Sequence, residues 1–205
     1  MCGSGSSGAP AGIPAPVPAA ITAQPLAVTV ADGGTPNFTV VATGAAPLVY
    51  QWQRNGVALI DAVGIVGALT QALTLIAPYA FNGSQIAVSV SNAAGKILSG
   101  AAMLTVTAVA PSIVLQPANT SVTSGSAASF SVTIKGGTSP ETYQWKRDGS
   151  VIAGATAASY TLAAAAPSDS GAIFTVDVIN PAGILTSASA TLTVMASALM
   201  LLIRK

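Results

Sequence analysis

Apolar and small polar residues alternate along most of the chain. Val28-Thr29-Val30, Phe38-Thr39-Val40, Ile86-Ala87-Val88-Ser89-Val90 and Met103-Leu104-Thr105-Val106 all repeat with a period of two, the pattern of strands with one face buried. Turn signals fall between these runs at Asp32-Gly33-Gly34, Asn55-Gly56, Asn82-Gly83 and Ala94-Gly95. Asn-Gly and Asp-Gly tolerate the positive φ angles of tight hairpins, so Asn55-Gly56 and Asp148-Gly149 are predicted hairpin tips. Sustained helical periodicity is missing. Ala163–Ala166 predicts one helical turn at most, which Pro167 would end. Short strands with frequent turns predict an all-β sandwich.

The pattern occurs twice. Ile21-Thr22-Ala23-Gln24-Pro25 returns as Ile113-Val114-Leu115-Gln116-Pro117, and Phe38-Thr39-Val40 as Phe130-Ser131-Val132. Tyr50-Gln51-Trp52-Gln53-Arg54-Asn55-Gly56 returns as Tyr143-Gln144-Trp145-Lys146-Arg147-Asp148-Gly149. Val88-Ser89-Val90-Ser91-Asn92 matches Val176-Asp177-Val178-Ile179-Asn180, and each repeat closes on Leu-Thr-Val at Leu104–Val106 and Leu192–Val194. Ordered matches at a nearly constant offset indicate a duplication. The predicted layout is a Gly/Ser/Pro-rich tether over 1–19, a first domain over 20–107, a short linker over 108–112, a second domain over 113–195 and an apolar-basic tail over 196–205. Pro111 restricts the linker.

These motifs resemble the bacterial immunoglobulin-like domain family, close to the intermediate set of immunoglobulin folds. The resemblance implies two tandem Greek-key β-sandwiches of immunoglobulin type. It puts Gln24-Pro25 and Gln116-Pro117 on the first strands, and makes Trp52 and Trp145 the buried tryptophans of the two cores. Asp169-Ser170-Gly171 matches the corner before the sixth strand, with Phe174 near the corner tyrosine's place. Repeat one departs, with Phe81 in place of Asp169 and Ile86 in place of Phe174. The family's inter-sheet disulfide is absent, its positions taken by the core markers Val40 and Val88 in repeat one and Val132 and Val176 in repeat two. A valine pair packs against tryptophan without the roughly 2–4 kcal/mol that a disulfide adds.

Repeat one is four residues longer between Leu59 and Pro78 than repeat two is between Ile152 and Pro167. The extra stretch, around Asp61 to Leu69, is rich in Val, Ile, Leu and Gly. It reads either as a connection covering the sheet edge or as a contact loop. Apolar loop residues ordinarily pack, which favours the first.

Composition narrows the function classes. Of 205 residues, 6% are charged, with seven basic and six acidic giving a net charge of +1, against about 25% charged in an average soluble protein. No basic stripe exists to neutralise phosphates, so no nucleic-acid partner is expected. There is no histidine and only one cysteine, Cys2, which removes the commonest general base and any paired-thiol zinc site. The acids Asp32, Asp61, Glu141, Asp148, Asp169 and Asp177 are scattered over turns, without the paired carboxylates of a glycosidase or the clustered ones of a calcium loop. No catalytic residue, cofactor or metal is expected.

The two ends carry tethering signals. Cys2 opens a Gly/Ser-rich run and is a candidate lipid-attachment residue, resembling the start of a mature lipoprotein. No signal peptide precedes it in this sequence, so an inert cysteine is the other reading. Leu199–Ile203 followed by Arg204-Lys205 is too short to cross a bilayer. It reads as a truncated segment or a packing strand, and less readily as an anchor. The expectation is a non-catalytic, bacterial, cell-surface or secreted module that spaces or displays partner domains, touching a membrane only through Cys2. Binding of a glycan or protein at the surface, and decoration of a phage virion, are the alternatives.

Overall fold

In the computed structural model, which describes residues 14–197, each repeat folds as its own sandwich and the chain divides between Val106 and Thr107. Cys2 and Leu199–Lys205 lie outside the described residues.

The first module contains β1 (Ala20–Ala23), β2 (Val28–Ala31), β3 (Asn37–Thr39), β4 (Val41–Thr43), β5 (Val49–Arg54), β6 (Val57–Ala58), β7 (Ile65–Val66), β8 (Ala72–Leu75), β9 (Ser84–Asn92), β10 (Gly95–Leu98) and β11 (Ala102–Thr107). One sheet runs β2-β11-β9-β5-β6 with β10 also on β9; the other runs β3-β8-β7, and β1 pairs with β4. The second module repeats this with β12 (Ser112–Leu115), β13 (Thr120–Thr123), β14 (Ala128–Ser131), β15 (Thr133–Lys135), β16 (Thr142–Arg147), β17 (Ser150–Val151), β18 (Ser159–Leu162), β19 (Ile173–Asn180), β20 (Gly183–Thr186) and β21 (Ala190–Met195). Its larger sheet runs β13-β21-β19-β16-β17, with β13 parallel to β21, and its other sheet is the pair β14-β18. These are two tandem immunoglobulin-like sandwiches.

Alternation makes the cores. Along β11 the buried Ala102, Leu104 and Val106 alternate with more exposed neighbours, and Trp52 faces Val88 across β5 and β9 as Trp145 faces Val176 across β16 and β19. Trp52, Val40 and Val88 share one buried cluster with Phe38 and Leu73. Trp145, Val132 and Val176 share the other with Phe130 and Phe174. Phe130 stacks on Phe174 with centroids 4.4 Å apart. The hairpin tips have the paired positive φ values the sequence predicts, 51° and 81° at Asn55-Gly56 and 49° and 80° at Asp148-Gly149.

Three features differ from expectation. The helical turn after Ala163 begins at Pro167 rather than ending there: Pro167–Asp169 is a 3₁₀ turn, because proline lacks only an N–H that the first helical position leaves unpaired anyway. The modules also start earlier than their first strands. Ala45 N–H donates to Val17 O, and Thr138 N–H to Val109 O, so Val109 of the predicted linker is tied into module two. Finally, the extra stretch of repeat one becomes the edge strand β7, but its apolar side chains do not all pack. Ile65 is half-buried, whereas Val63, Val66 and Leu69 are exposed. The stretch extends the sheet edge by backbone pairing and leaves an aliphatic rim in solvent.

Candidate functional site

The polar residues of the repeated motifs are used by the fold. Gln51 Nε2 donates to Trp52 O at 2.9 Å and Leu59 O at 2.8 Å, and Gln144 makes the same pair with Trp145 O and Ile152 O. The Gln of each Gln-Pro accepts from the connection that leads into the last strand, Gly100 N–H on Gln24 and Ala188 N–H on Gln116. Trp52 and Trp145, both fully buried, donate from Nε1 to Thr70 O and Ala157 O; neither offers a face to a sugar. Asn92 and Asn180 each donate to a lead-in carbonyl and a loop carbonyl, Val17 and Ala45 in one module, Val109 and Thr138 in the other. Ser99 and Ser187 accept from Val88 N–H and Val176 N–H. These serines, equally spaced from their asparagines in both repeats, were a signal that sequence reasoning missed.

The acids are spoken for as well. Asp61 accepts from Ala68 N–H, Asp32 from Tyr79 N–H and Asp148 from Ile173 N–H. Asp177, buried on the outer face of its sheet, pairs with Lys146 at 2.6 Å and accepts from Thr186 Oγ1. Asp169 accepts from Ala166 N–H and pairs with Arg147 at 2.8 Å. The Ala166 N–H foremost, and then Arg147, hold the Asp169 carboxyl below its ordinary value. Repeat one has no carboxylate in the place of Asp169: there the Arg54 guanidinium lies 3.6 Å from the centroid of the Phe81 ring, and Asp32 reaches the same turn from the other side through Tyr79 N–H. Among the described residues, no three of His, Cys, Asp and Glu gather as a metal site. Cys2, the candidate lipid-attachment residue, lies outside them.

What distinguishes the two modules is the edge beside β8 in the first and β18 in the second. In module one β7 covers β8, with Val66 opposite Thr74, Ile65 opposite Leu75, and Ile76 N–H donating to Gly64 O. Among the described residues, module two has no counterpart of β7. The edge of β18 there opens into a hollow lined by Ala153, Gly154, Thr156, Ser159, Tyr160 and Thr161. This uncovered edge is the candidate contact site.

Comparison with known proteins agrees with the architecture. Residues 110–180 match the family described as immunoglobulin domain. The chain is 50% identical over 54 residues to a decoration protein of Escherichia phage T5, covering 26% of this chain and 33% of that protein. It is 32% identical over 121 residues to endoglucanase C of Cellulomonas fimi, covering 58% of this chain and 11% of that enzyme. The matches thus span about a third of one relative and about a tenth of the other. Among solved structures, titin domains z1z2 in complex with telethonin align with TM-score 0.52 and 25% identity over 88% of this chain and 98% of theirs. Titin domains A168–A170 align with TM-score 0.59 at 17% identity, over 87% of this chain and 66% of theirs, a likeness of fold alone.

Proposed function

We propose that this chain, a tandem of immunoglobulin-like modules, is a non-catalytic structural or adhesive element that spaces or displays partner domains on the outside of a cell or particle. The observation carrying this reading is that the repeated polar motifs and the five aspartates are used in hydrogen bonds that build the sandwiches, leaving edges and outer faces as the surfaces on offer. The local similarity to a small part of an endoglucanase fits an accessory module better than a catalytic one, because each aspartate of this chain accepts hydrogen bonds from the fold at a different turn or strand rather than pairing with another across a cleft. The 50% identity to part of a phage decoration protein favours a second reading, display on a virion surface.

Localisation separates the two readings. An antibody against the folded chain is used on protease-treated intact cells and on density-banded virions. Signal on cells that is lost on protease treatment supports cell-surface display, and co-banding with capsids supports virion display. Signal confined to the cytosol overturns both. Hydrolysis of soluble β-glucans by the purified chain, abolished by replacing its acids, would overturn the non-catalytic assignment.

A further inference from the structure

The two modules are internal controls for each other at the β8 and β18 edges. Register equates Leu73, Thr74 and Leu75 with Tyr160, Thr161 and Leu162, since Phe38 faces Leu73 as Phe130 faces Tyr160. In module one this strand is finished. Leu73 and Leu75 are 0% and 2% exposed, and Ala68, whose carbonyl accepts from Trp52 N–H, is fully buried. In module two Tyr160 and Leu162 are only half-buried, as is Ala155, whose carbonyl accepts from Trp145 N–H in the same way. The difference is the cover: Ile65 of β7 packs against the first core, and nothing among the described residues stands in its place in the second.

The backbone agrees with the side chains. Val132 N–H donates to Ala158 O, so Ala158, Tyr160 and Leu162 direct their backbone groups to β14, and Ser159 and Thr161 direct theirs outward. Thr161 is the position whose equivalent, Thr74, pairs with Val66 in module one. The hollow runs along this outward row and holds no charged residue.

We infer that the β18 edge of module two is a strand-addition site for a partner polypeptide, taking an uncharged extended segment with a β-branched aliphatic side chain turned inward. β7 defines the occupant: a strand antiparallel to β18, hydrogen-bonded to Thr161, with an isoleucine-like residue over Tyr160 and Leu162. Affinity comes from backbone pairing and specificity from the single inward pocket. The inference stands whether or not the chain is displayed on a surface.

The test uses the full chain and an end-blocked, uncharged peptide with the sequence of residues 62–69, titrated to millimolar while backbone amides are followed by NMR. The expected result is saturable shifts at Ser159–Leu162, with amide exchange at Thr161 slowed about tenfold or more and Thr74 unmoved because β7 already covers it. Thr161→Pro removes an outward N–H at an edge position where proline is tolerated, and abolishes the shifts. Thr156→Lys leaves the backbone unaltered, puts charge into the hollow and weakens binding at least severalfold. Absence of saturable shifts in the folded wild-type chain overturns the inference, as does equal binding by both variants. So does slow exchange at Thr161 without peptide, which would show the edge already covered: by a second copy if it depends on concentration, by the chain's own tail if it does not.

Discussion

At the corner before the sixth strand, two residues do one task by different physics. Asp169 closes the module-two corner by accepting from Ala166 N–H and pairing with Arg147, whereas Phe81 closes the module-one corner by lying under Arg54. The consequence is a difference in acid sensitivity. Because the folded-state carboxyl of Asp169 sits below its ordinary value of 3.8, it adds stability that is fully present above that value and is lost as pH falls through the lowered one. Residue-resolved exchange or urea unfolding between about pH 5 and pH 2 is expected to show module two losing this contribution, and Asp169→Asn to remove that part of the pH dependence. The Arg54–Phe81 contact contains no group that titrates there. Phe81→Ala is expected to cost module one about 1–2 kcal/mol from the lost cation–π contact and packing, read as a lowered denaturation midpoint. Phe81→Leu, which keeps most of the packing, separates the two contributions.

Element by element, the strands that repeat were legible because each carries its own period and a buried landmark. Tyr50-Gln51-Trp52 and Tyr143-Gln144-Trp145 announce themselves locally, and Asn55-Gly56 and Asp148-Gly149 fix the hairpin beside them. The edges were legible only in part: the extra stretch of repeat one was expected to cover the sheet edge, and it does so as a strand that the sequence did not announce. Whether Ile65-Val66 becomes a strand depends on the outward carbonyls and amides of β8, which no local pattern encodes, and the same holds for the vacant side of β18. The lead-ins were also hidden, since Val17 and Val109 join their modules through asparagines more than 70 residues away. Those asparagines differ in burial, and this makes a prediction. Asn180 is 8% exposed and holds both Val109 O and the buried Thr138 O, so Asn180→Ala is expected to cost on the order of 2–3 kcal/mol by stranding the Thr138 carbonyl. Asn92 is only half-buried, so Asn92→Ala should cost about 1 kcal/mol. Paired chemical denaturation of the two variants measures the difference, with faster exchange at the Thr138 amide marking release of the lead-in.

Over the whole molecule the governing fact is the scarcity of charge. Natural sheet edges are kept apart by lysines, prolines or bulges, and the edge of module one carries none on its outer rim, where Val63, Val66 and Leu69 stand in solvent. The one acid nearby, Asp61, is turned inward onto Ala68 N–H. With a net charge of +1, long-range repulsion offers little protection, and what exists is screened beyond about 10 Å at 0.1 M salt. Self-association through this rim is therefore expected to rise with protein concentration and to stay insensitive to sodium chloride, since apolar contact and backbone pairing carry it. Val63→Lys with Val66→Lys places charge where both side chains already face water. The double variant should remain monomeric at concentrations where the parent associates in sedimentation velocity, with a denaturation midpoint within about 0.5 kcal/mol of the parent. A parent that stays monomeric throughout would show that the rim's curvature, rather than charge, keeps its edges apart. Association that vanished in high salt would assign it to the few charged residues instead. The same pair of lysines leaves the β18 edge of module two untouched, so any peptide binding there must survive the substitution.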